Sequence, residues 1–267
     1  MAERRRSTQA STRGWDPVAA WYTGWVGSEG SEHHRRTAIP ALLDLLQPQP
    51  GERVLDLGCG PAVLAPHVAG VGAHYTGVDV SGKLIAFARR HHAEHGRYLV
   101  ADATRRDLLQ RIDAHAFDAV TFLLSIQDID PLQGVLQNAA AALRGGGRAV
   151  LLMTHPCFRV PRQSGWGWDE QRRLRYRRVD RYLTPLAVPM KQYRGGGGGA
   201  TRSHHRPLQQ YVDALADHGM LVDRLREVPT HLCASEGPRA RAERLANQEI
   251  PLFLALRAVK HGQDRPA

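Results

Sequence analysis

Three acidic residues in the first half of the chain each lie at or next to the end of a short apolar segment. Asp56 is the last residue but one of RVLDL, Asp79 ends HYTGVD, and Asp102 ends RYLVAD. Two glycines, Gly58 and Gly60, follow the first acid in what reads as a tight turn. Glycine lets a ligand approach the backbone closely and lets the chain turn sharply. Because carboxylates accept hydrogen bonds and favour positive charge, this set predicts a site for a polar, cationic ligand.

The glycine turn differs from the dinucleotide fingerprint G-x-G-x-x-G. Val63 stands where the third glycine would be, and Asp56 precedes the first glycine by two residues. The fingerprint places a pyrophosphate at a helix N-terminus, where a carboxylate would repel it. The pattern therefore favours a cation without phosphate, and S-adenosylmethionine, with an ammonium, a sulfonium, a ribose diol and adenine, has that chemistry. An NAD-dependent oxidoreductase or a non-catalytic adenosine-cofactor sensor is a further alternative.

Apolar segments alternate with amphipathic ones through the middle of the chain. The apolar segments predict strands at residues 53–57, 74–79, 97–102, 118–125 and 144–154. The amphipathic segments predict helices at residues 62–69, 81–96, 104–112 and 131–143. This alternation favours parallel strands joined by right-handed helical crossovers. Because ligands of open parallel sheets bind beyond the carboxyl ends of the strands, the three aspartates are expected along one edge.

The pattern changes after residue 155. Residues 155–205 contain Arg-rich and Trp-rich stretches and a glycine run at 195–199, with no regular period. A loop region of this length is usually functional or disordered. A helix is then predicted at 206–220 and two last strands at 221–228 and 250–259. A polar connection without a crossover helix joins these two strands, which favours an antiparallel pair.

Four motifs, VLDLGCGPAVL, GVDVS, VADAT and DAVTFLLSIQDI, follow one another within residues 50–155. Together they resemble the motifs of class I S-adenosylmethionine-dependent methyltransferases. The resemblance implies a Rossmann-like α/β fold with a seven-stranded, mostly parallel sheet and an antiparallel last strand. It also implies one methyltransferase domain at residues 15–267, with a helical N-terminal cap at 15–48 and an inserted substrate segment at 155–205. A disordered basic leader is expected at residues 1–14.

The resemblance also implies roles for the cofactor site. Asp79 would accept hydrogen bonds from the ribose hydroxyls, and Asp102 would meet the adenine amino group. Asp56 would favour the amino end of the cofactor, directly or through water. Tyr22 and His34 of the cap would reach toward its methionine end. The other residues expected at the cofactor are Gly58, Cys59, Gly60, Val80, Ala103, Leu123, Leu124 and Gln127.

The second half is similar to a subset of bacterial small-molecule methyltransferases, on the strings THPCFRVPRQSGWGWDE, RRVDRYLTPL and HHRPLQQYVDAL. That subset includes enzymes that methylate indole C3 in tryptophan-containing cyclic dipeptides. The substrate implied is a small aromatic or N-heterocyclic compound of secondary metabolism. Phe158, Trp166, Trp168 and Tyr193 would line an aromatic pocket, or the tryptophans would pack the insertion onto the sheet. The glycine run would be the hinge of a lid or a spacer without a role.

An enzyme that catalyses methyl transfer must mainly align the acceptor with the methyl group, and it must supply a base that takes a proton from the acceptor. Histidine is the usual base near neutral pH. His205 is expected to be this base, with Arg206 as its orienting or substrate-anchoring partner and Tyr22 opposing them across the pocket. His155 directly follows the fifth strand and is the second candidate. Because the chain has 14 histidines, capping or surface roles are the alternative.

The formal net charge of +10 raises the alternative of a nucleic-acid substrate. Most of the excess lies in three Arg-rich segments, at residues 1–13, 162–181 and 239–244. Such loops are more often solvated surface than groove readers. Base-amino methyltransferases of this fold usually carry a Pro-Pro-aromatic loop after strand four, which the segment SIQDIDPL lacks. A small-molecule substrate is therefore expected, with RNA or another nucleic acid as the alternative.

Three cysteines, Cys59, Cys157 and Cys233, lie far apart without C-x-x-C spacing. They predict no metal site and favour a reducing, cytoplasmic setting. Cys59 has no adjacent base and is expected to pack. No apolar run approaches the roughly 20 residues that span a membrane, so no membrane association is expected. The sequence does not indicate an oligomeric state.

Overall fold

The computed structural model describes residues 14–190, 201–233 and 236–262. The leader predicted at residues 1–14 lies outside the described residues, apart from Gly14. Tyr193 and the glycine run at 195–199 also lie outside them. The predicted pocket role of Tyr193 and the predicted hinge therefore stay predictions.

Eleven strands occur in the described residues, seven of them in one central sheet. Their bounds are β1 Arg53–Leu57, β2 His74–Asp79, β3 Gly96–Val100, β4 Phe117–Leu123, β5 Leu143–Thr154, β6 Ser164–Asp169, β7 Leu174–Val179, β8 Leu186–Pro189, β9 Arg202–His205, β10 Met220–Val228 and β11 Phe253–Lys260. The central sheet has the order β10-β11-β5-β4-β1-β2-β3. Its first five strands in sequence run parallel, and β11 is antiparallel to both β5 and β10. This topology confirms the predicted fold class.

Helices cover both faces of the sheet. Their bounds are α1 Ala19–Val26, α2 Ile39–Leu46, α3 Ala65–Gly70, α4 Gly82–His92, α5 Leu132–Ala142, α6 Leu208–Asp217 and α7 Ala240–Glu249. One-turn 3-10 segments occupy Asp16–Val18, Ala93–His95, Arg106–Gln110 and Ile126–Asp128, and a π-helical turn covers His34–Ala38. No helix in the described ranges is long and apolar enough to cross a membrane.

Two predictions about helices are wrong. The helix predicted at 104–112 is only a 3-10 segment, Arg106–Gln110. The polar connection between the last two strands contains α7, for which no helix was predicted. Ala242 and Ala246, four residues apart, form its buried stripe, and its larger apolar residue, Leu245, is exposed. Small alanine side chains give only a weak apolar period, so the pattern resembled a loop.

Strand β1 shows how the sheet obtains a core on each face. Val54 packs into the layer that includes α2, α3 and α4. Leu55 and Leu57 point the other way, into the layer that includes α5 and α6. Successive side chains of a strand alternate between faces, so a continuous apolar run is what a doubly covered parallel strand needs.

The predicted insertion forms two small antiparallel hairpins rather than an extension of the sheet. β6 pairs with β7, and β8 pairs with β9. The second hairpin ends at His205, next to the start of α6.

A largely buried ion pair ties the predicted cap to the sheet. Arg148 on β5 donates to both carboxylate oxygens of Glu52, at 2.9 and 2.6 Å. Its Nε also donates to the carbonyl of Leu46, at the end of α2, at 2.6 Å. Hydrogen bonds from Arg148 hold the pKa of Glu52 below its usual value. The guanidinium therefore joins α2, β1 and β5.

Replacing Arg148 with methionine should lower the free energy of unfolding at pH 7 by about 2 kcal/mol, because the Glu52 carboxylate and a carbonyl lose their donors. The stabilisation is present above the unfolded pKa of Glu52, about 4.5, and is lost as the pH falls through its lower folded value. Urea unfolding at pH 7 and pH 3.5 measures both effects.

Arg36→Met is the matched control, because Arg36 makes an exposed pair with Glu32 on one helical turn. Such pairs contribute about 0.5 kcal/mol. Equal losses in the two variants at pH 7 would contradict the anchoring role of Arg148.

Candidate active site

A cavity of about 710 Å³ opens at the carboxyl edge of the sheet. Its floor is formed where β1, β2, β3 and β4 end, and the segment before α2 covers it. Clefts of about 300–1,000 Å³ are typical of small-molecule and cofactor sites. The cavity lies where strand-end residues of an open parallel sheet are expected to bind ligands.

The glycine turn after β1 forms part of the floor. Gly58 and Gly60 have φ angles of +73° and +54°, in the left-handed region. A Cβ atom on Gly58 would lie 2.6 Å from Cβ of Ser125. The N–H groups of Gly58 and Cys59 both donate to the carbonyl of Val78, at 2.8 and 3.0 Å. The turn thus needs glycine and is fixed to β2.

Asp79, the last residue of β2, holds the floor together. One carboxylate oxygen accepts the N–H of Gly60 at 2.9 Å, and the other accepts the N–H of Ser81 at 2.8 Å. Burial raises the pKa of Asp79, and these backbone bonds act against that rise. Each oxygen of a carboxylate can accept two hydrogen bonds, so Asp79 keeps acceptor capacity after these bonds and a further backbone bond from Val80. Two adjacent ligand hydroxyls are the complementary donors.

Asp102 lies just beyond the end of β3 and also lines the cavity. One of its oxygens accepts both the N–H and the hydroxyl of Thr104, at 2.9 and 2.7 Å. That bond pair fixes the carboxylate at the rim, where its remaining acceptor capacity suits an N–H donor.

The roof consists mainly of aromatic side chains from the N-terminal segment. Trp15, Tyr22 and Trp25 line the cavity, and the rings of Trp15 and Tyr22 meet edge to face at 5.4 Å. Asp16 attaches this segment to the start of α4, because its carboxylate accepts the Ser81 hydroxyl at 2.5 Å and a backbone N–H at 3.2 Å. The roof is therefore held by the same turn that Asp79 fixes.

Two roof groups have shifted protonation. Burial, reinforced by the carboxylates of Asp128 and Asp79, raises the pKa of Tyr22, so its hydroxyl stays a donor. Burial lowers the pKa of His34 to about 4, which leaves it neutral at pH 7. Its Nδ1 lies 2.8 Å from the Ser31 hydroxyl.

The cavity collects most of the predicted cofactor residues. Those that line it are Tyr22, His34, Gly58, Cys59, Gly60, Asp79, Val80, Asp102, Ala103, Leu123, Leu124 and Gln127. Leu124 has a φ of +55°, so the backbone after β4 is in a conformation that is uncommon for leucine. Such strained positions often occur at ligand sites.

Asp56 is not brought to the cavity. Its carboxylate accepts the hydroxyls of Tyr75 at 2.7 Å and Thr121 at 3.0 Å, and the residue is 1% exposed. Burial raises its pKa to about 6. The reason is the position of Asp56 within β1. Its side chain lies between the neighbouring strands β2 and β4, whose Tyr75 and Thr121 hydroxyls donate to its oxygens. A direct contact of Asp56 with a ligand is therefore excluded by this arrangement.

The predicted base does not line the cavity. Nε2 of His205 lies 2.6 Å from the carbonyl of Tyr182, which can only accept, so this nitrogen is a donor. Arg206 donates to the carbonyls of Ile126 and Ile129, at 3.3 and 2.8 Å, and to the carboxylate of Asp130 at 2.8 Å. Arg206 therefore fastens the end of the second hairpin to the segment after β4, and His205 holds that hairpin to the chain before β8.

His155 is also withdrawn from the cavity. Its Nδ1 accepts the N–H of Cys157 at 3.2 Å, and its Nε2 donates to Glu227 at 2.9 Å. Burial lowers its pKa. Both ring nitrogens are occupied, so His155 lacks a free atom for a substrate proton.

The predicted aromatic pocket residues lie elsewhere. Trp166 contacts the guanidinium groups of Arg159, Arg175 and Arg177, at 5.1, 4.4 and 5.2 Å from its ring centroid. Trp168 similarly meets Arg239 at 4.4 Å, and Phe158 packs on His155 with centroids 4.8 Å apart. None of the three lines the cavity. Arginine stacking holds the two tryptophan rings within the first hairpin and next to the start of α7.

Asp128 is a cavity residue that was not predicted. It lines the cavity beside Gln127, and burial raises its pKa to about 7. The signal in the sequence is the acid pair of SIQDIDPL, directly after β4. His33, His204 and Phe253 also line the cavity without having been predicted. Within the described residues, no group of three or more His, Cys, Asp or Glu side chains is placed to hold a metal.

A family comparison agrees with this geometry. The sequence model described as "Methyltransferase domain" matches residues 31–188, which is more than half of the chain. A crystal structure of an S-adenosylmethionine-dependent methyltransferase from Mesorhizobium loti superposes with a TM-score of 0.65 and 27% identity, covering 83% of this chain and 96% of that one.

Curated relatives match a shorter part of the chain. The ubiquinone biosynthesis O-methyltransferase of Xylella fastidiosa is 32% identical over 137 residues, 50% of this chain and 55% of that protein. The protein of the same name from Xanthomonas axonopodis is 29% identical over 140 residues, 51% of this chain and 58% of that protein. The chain therefore spans only about half the length of these curated relatives.

Gly58→Ala should lower the melting temperature by about 5–10 °C, because a side chain at a positive φ costs about 1–3 kcal/mol. The displaced turn should also weaken binding of S-adenosylhomocysteine at least about tenfold, the equivalent of 1.4 kcal/mol. Thermal unfolding and isothermal titration calorimetry measure the two effects.

Gly82→Ala is the control, since its added Cβ would meet nothing within 4 Å. It should leave both properties close to those of the wild type. Unchanged ligand affinity in Gly58→Ala would show that the turn does not form the binding surface.

Proposed function

Since the chain belongs to the family of S-adenosylmethionine-dependent methyltransferases, we propose that it transfers a methyl group to a small aromatic or N-heterocyclic metabolite. Family membership confirms the predicted cofactor, S-adenosylmethionine. The observation that carries the proposal is the cavity at the carboxyl edge of the sheet, with carboxylates in its floor and aromatic rings in its roof. Such a lining suits a cationic cofactor below a flat acceptor.

The residues of the floor fit this cofactor. Asp79 keeps acceptor capacity after its backbone bonds, which suits the ribose hydroxyls of the cofactor. Asp102 is assigned to the adenine amino group. No lysine or arginine holds a phosphate at the turn, and the cofactor carries none. When bound, S-adenosylmethionine supplies an electrophilic methyl group on a sulfonium.

The chain contributes alignment and exclusion of water. The glycine turn and the strained backbone at Leu124 form a rigid floor, while Tyr22 closes the cavity from above. Holding two reactants in line can supply about 7–11 kcal/mol of the barrier in favourable cases. The carboxylates of Asp79 and Asp128 near Tyr22 also favour the positive charge that the cofactor brings.

The acceptor is assigned from the roof. The rings of Trp15, Tyr22, Trp25 and Phe253 offer faces and edges to a planar substrate. The indole of a tryptophan-derived cyclic dipeptide is our specific candidate, with C- and N-methylation both open. The curated relatives are named as O-methyltransferases of ubiquinone biosynthesis, which makes a phenolic acceptor the neighbouring choice.

A nucleic-acid substrate has less support. Arg159, Arg175 and Arg177 stack on Trp166, so their guanidinium groups are engaged within the protein. RNA binding of this kind needs basic groups that are free to neutralise phosphates and release counterions. Retention of RNA on a filter should therefore be weak at every salt concentration of a series. The three cysteines are free, and we assign the protein to the reducing cytoplasm.

Asp79→Ala should weaken binding of S-adenosylhomocysteine by about 10- to 150-fold, because hydrogen bonds to a charged group contribute about 1.5–3 kcal/mol. Isothermal titration calorimetry measures this loss. Methyl transfer to an indole-bearing cyclic dipeptide or a catechol, followed by mass spectrometry, tests the substrate class.

Asp213→Ala is the matched control, because Asp213 is an exposed aspartate on α6, away from the cavity. It should bind as the wild type does. Failure of the wild type to bind S-adenosylhomocysteine would overturn the proposed function, and equal affinity in Asp79→Ala would overturn the ribose assignment.

A further inference from the structure

Gln127 and Asp128, adjacent in sequence, both line the cavity, and each has a buried side-chain oxygen without a donor in the described part of the chain. Gln127 Oε1 and Asp128 Oδ1 are inaccessible to solvent and have no hydrogen-bond partner among the described residues. Nε2 of Gln127 donates to the carbonyl of Leu124 at 2.5 Å, which fixes the amide and leaves Oε1 as the free end. An unsatisfied buried polar group costs about 1–3 kcal/mol. Both residues line the cavity, so a ligand there can supply the missing donors.

Among the described residues, three ionisable groups interact electrostatically with Asp128. The charged and titratable groups near it are Tyr22 from α1, Arg206 before α6 and Tyr211 from α6. Arg206 is already shared among two carbonyls and Asp130. A hydrogen bond from Ser203 of β9 and the charge of Arg206 act against the effect of burial, which dominates.

Two histidines lie near this group but do not compete with it. His34 is neutral and faces Ser31. His204 lines the cavity with its Nδ1 3.9 Å from the carboxylate of Asp130, and burial lowers its pKa. The Asp130 carboxylate favours the charged form of His204, but burial is the larger effect. His33 also lines the cavity with a buried Nδ1 that is unpartnered within the described ranges, and burial lowers its pKa. Asp128 combines a buried oxygen that has no donor among the described residues with a pKa near neutrality, which suits a general base.

We propose that Asp128 is the catalytic residue that accepts a proton from the methyl acceptor, an inference that rests on the proposed function. We propose in addition that Gln127 Oε1 accepts a hydrogen bond from the same methyl acceptor. The substrate is accordingly a compound with an N–H or O–H group at the reacting ring, such as an indole, another N–H heterocycle or a phenol. Fully alkylated heterocycles lack this handle and are excluded.

The step balances with the cofactor as the only co-reactant. The proton of the substrate N–H or O–H moves to Asp128 Oδ1. The electron pair left on the substrate, on the heteroatom or delivered through the ring to a carbon, forms the bond to the methyl carbon. The carbon–sulfur bond breaks and its pair stays on sulfur, giving S-adenosylhomocysteine. When a ring carbon has been methylated, the product keeps the resulting imine-type nitrogen, and Asp128 later releases its proton to water.

Asp128→Asn and Ser203→Ala test this role in the full chain. Methyl transfer by the wild type to cyclo(L-Trp-L-Trp) or catechol should rise with pH, with a midpoint near 7. Asp128→Asn should lose about 100-fold or more in rate and lose the midpoint. Ser203→Ala should keep most activity but shift the midpoint upward, because its hydroxyl holds the pKa of Asp128 down. A purely structural role of Asp128 would not move the midpoint.

A second readout uses the ligand-free protein. Folding raises the pKa of Asp128 from 3.8 to about 7. The protonated carboxyl therefore contributes its full stability to the folded protein below pH 3.8, and this contribution is lost as the pH rises through about 7. The melting temperature of Asp128→Asn should therefore exceed that of the wild type at pH 8, and the gap should close toward pH 4. The exposed control Asp213→Asn should show no such pH-dependent gap.

The outcomes separate the two proposals. Binding of S-adenosylhomocysteine by the wild type tests the proposed function, and Asp128→Asn should bind it within about threefold of the wild type, under 1 kcal/mol. A parallel loss of binding and rate would place Asp128 at the cofactor and overturn the inference. It is also overturned if Asp128→Asn keeps its rate and pH midpoint. If neither probe is methylated, the unfolding titration decides, and a gap independent of pH rejects the role.

Discussion

The carboxylate of Asp79 joins the two turns on which the cavity is built. By accepting the N–H groups of Gly60 and Ser81, it fixes the end of β1 against the start of α4. Ser81 in turn donates its hydroxyl to Asp16, which brings the aromatic roof over the floor. One buried acid thus sets the separation of floor and roof, and the ligand site depends on that separation.

Charge is divided between two regions of the fold. The cavity holds Asp79, Asp102 and Asp128, with a tyrosine that burial keeps protonated, so it complements a cationic ligand. Arg175 and Arg177 of the first hairpin place their guanidinium groups on the face of Trp166, and Arg239 places its own on Trp168. The high net charge is therefore compatible with an acidic binding site, because most of the positive groups serve packing or lie on the surface.

Local patterns predicted the strands, the glycine turn and the strand-end acids, because alternation and tight turns are encoded within a few residues. Side chains whose partners are distant in sequence were not predictable in this way. The sequence predicted His205 as the base, but its ring donates to the carbonyl of Tyr182. It predicted Asp56 as a ligand contact, but the hydroxyls of Tyr75 and Thr121 donate to its carboxylate. Asp128 was not predicted, because what distinguishes it is a buried oxygen without a hydrogen-bond donor among the described residues, and that is visible only in the packed structure.

The most direct test is a crystal structure of the protein with S-adenosylhomocysteine. The account predicts both ribose hydroxyls within about 3.2 Å of the Asp79 carboxylate. The homocysteine sulfur should then face Tyr22 and Asp128. Adenosine bound outside this cavity, or a ribose that leaves Asp79 without new donors, would contradict it.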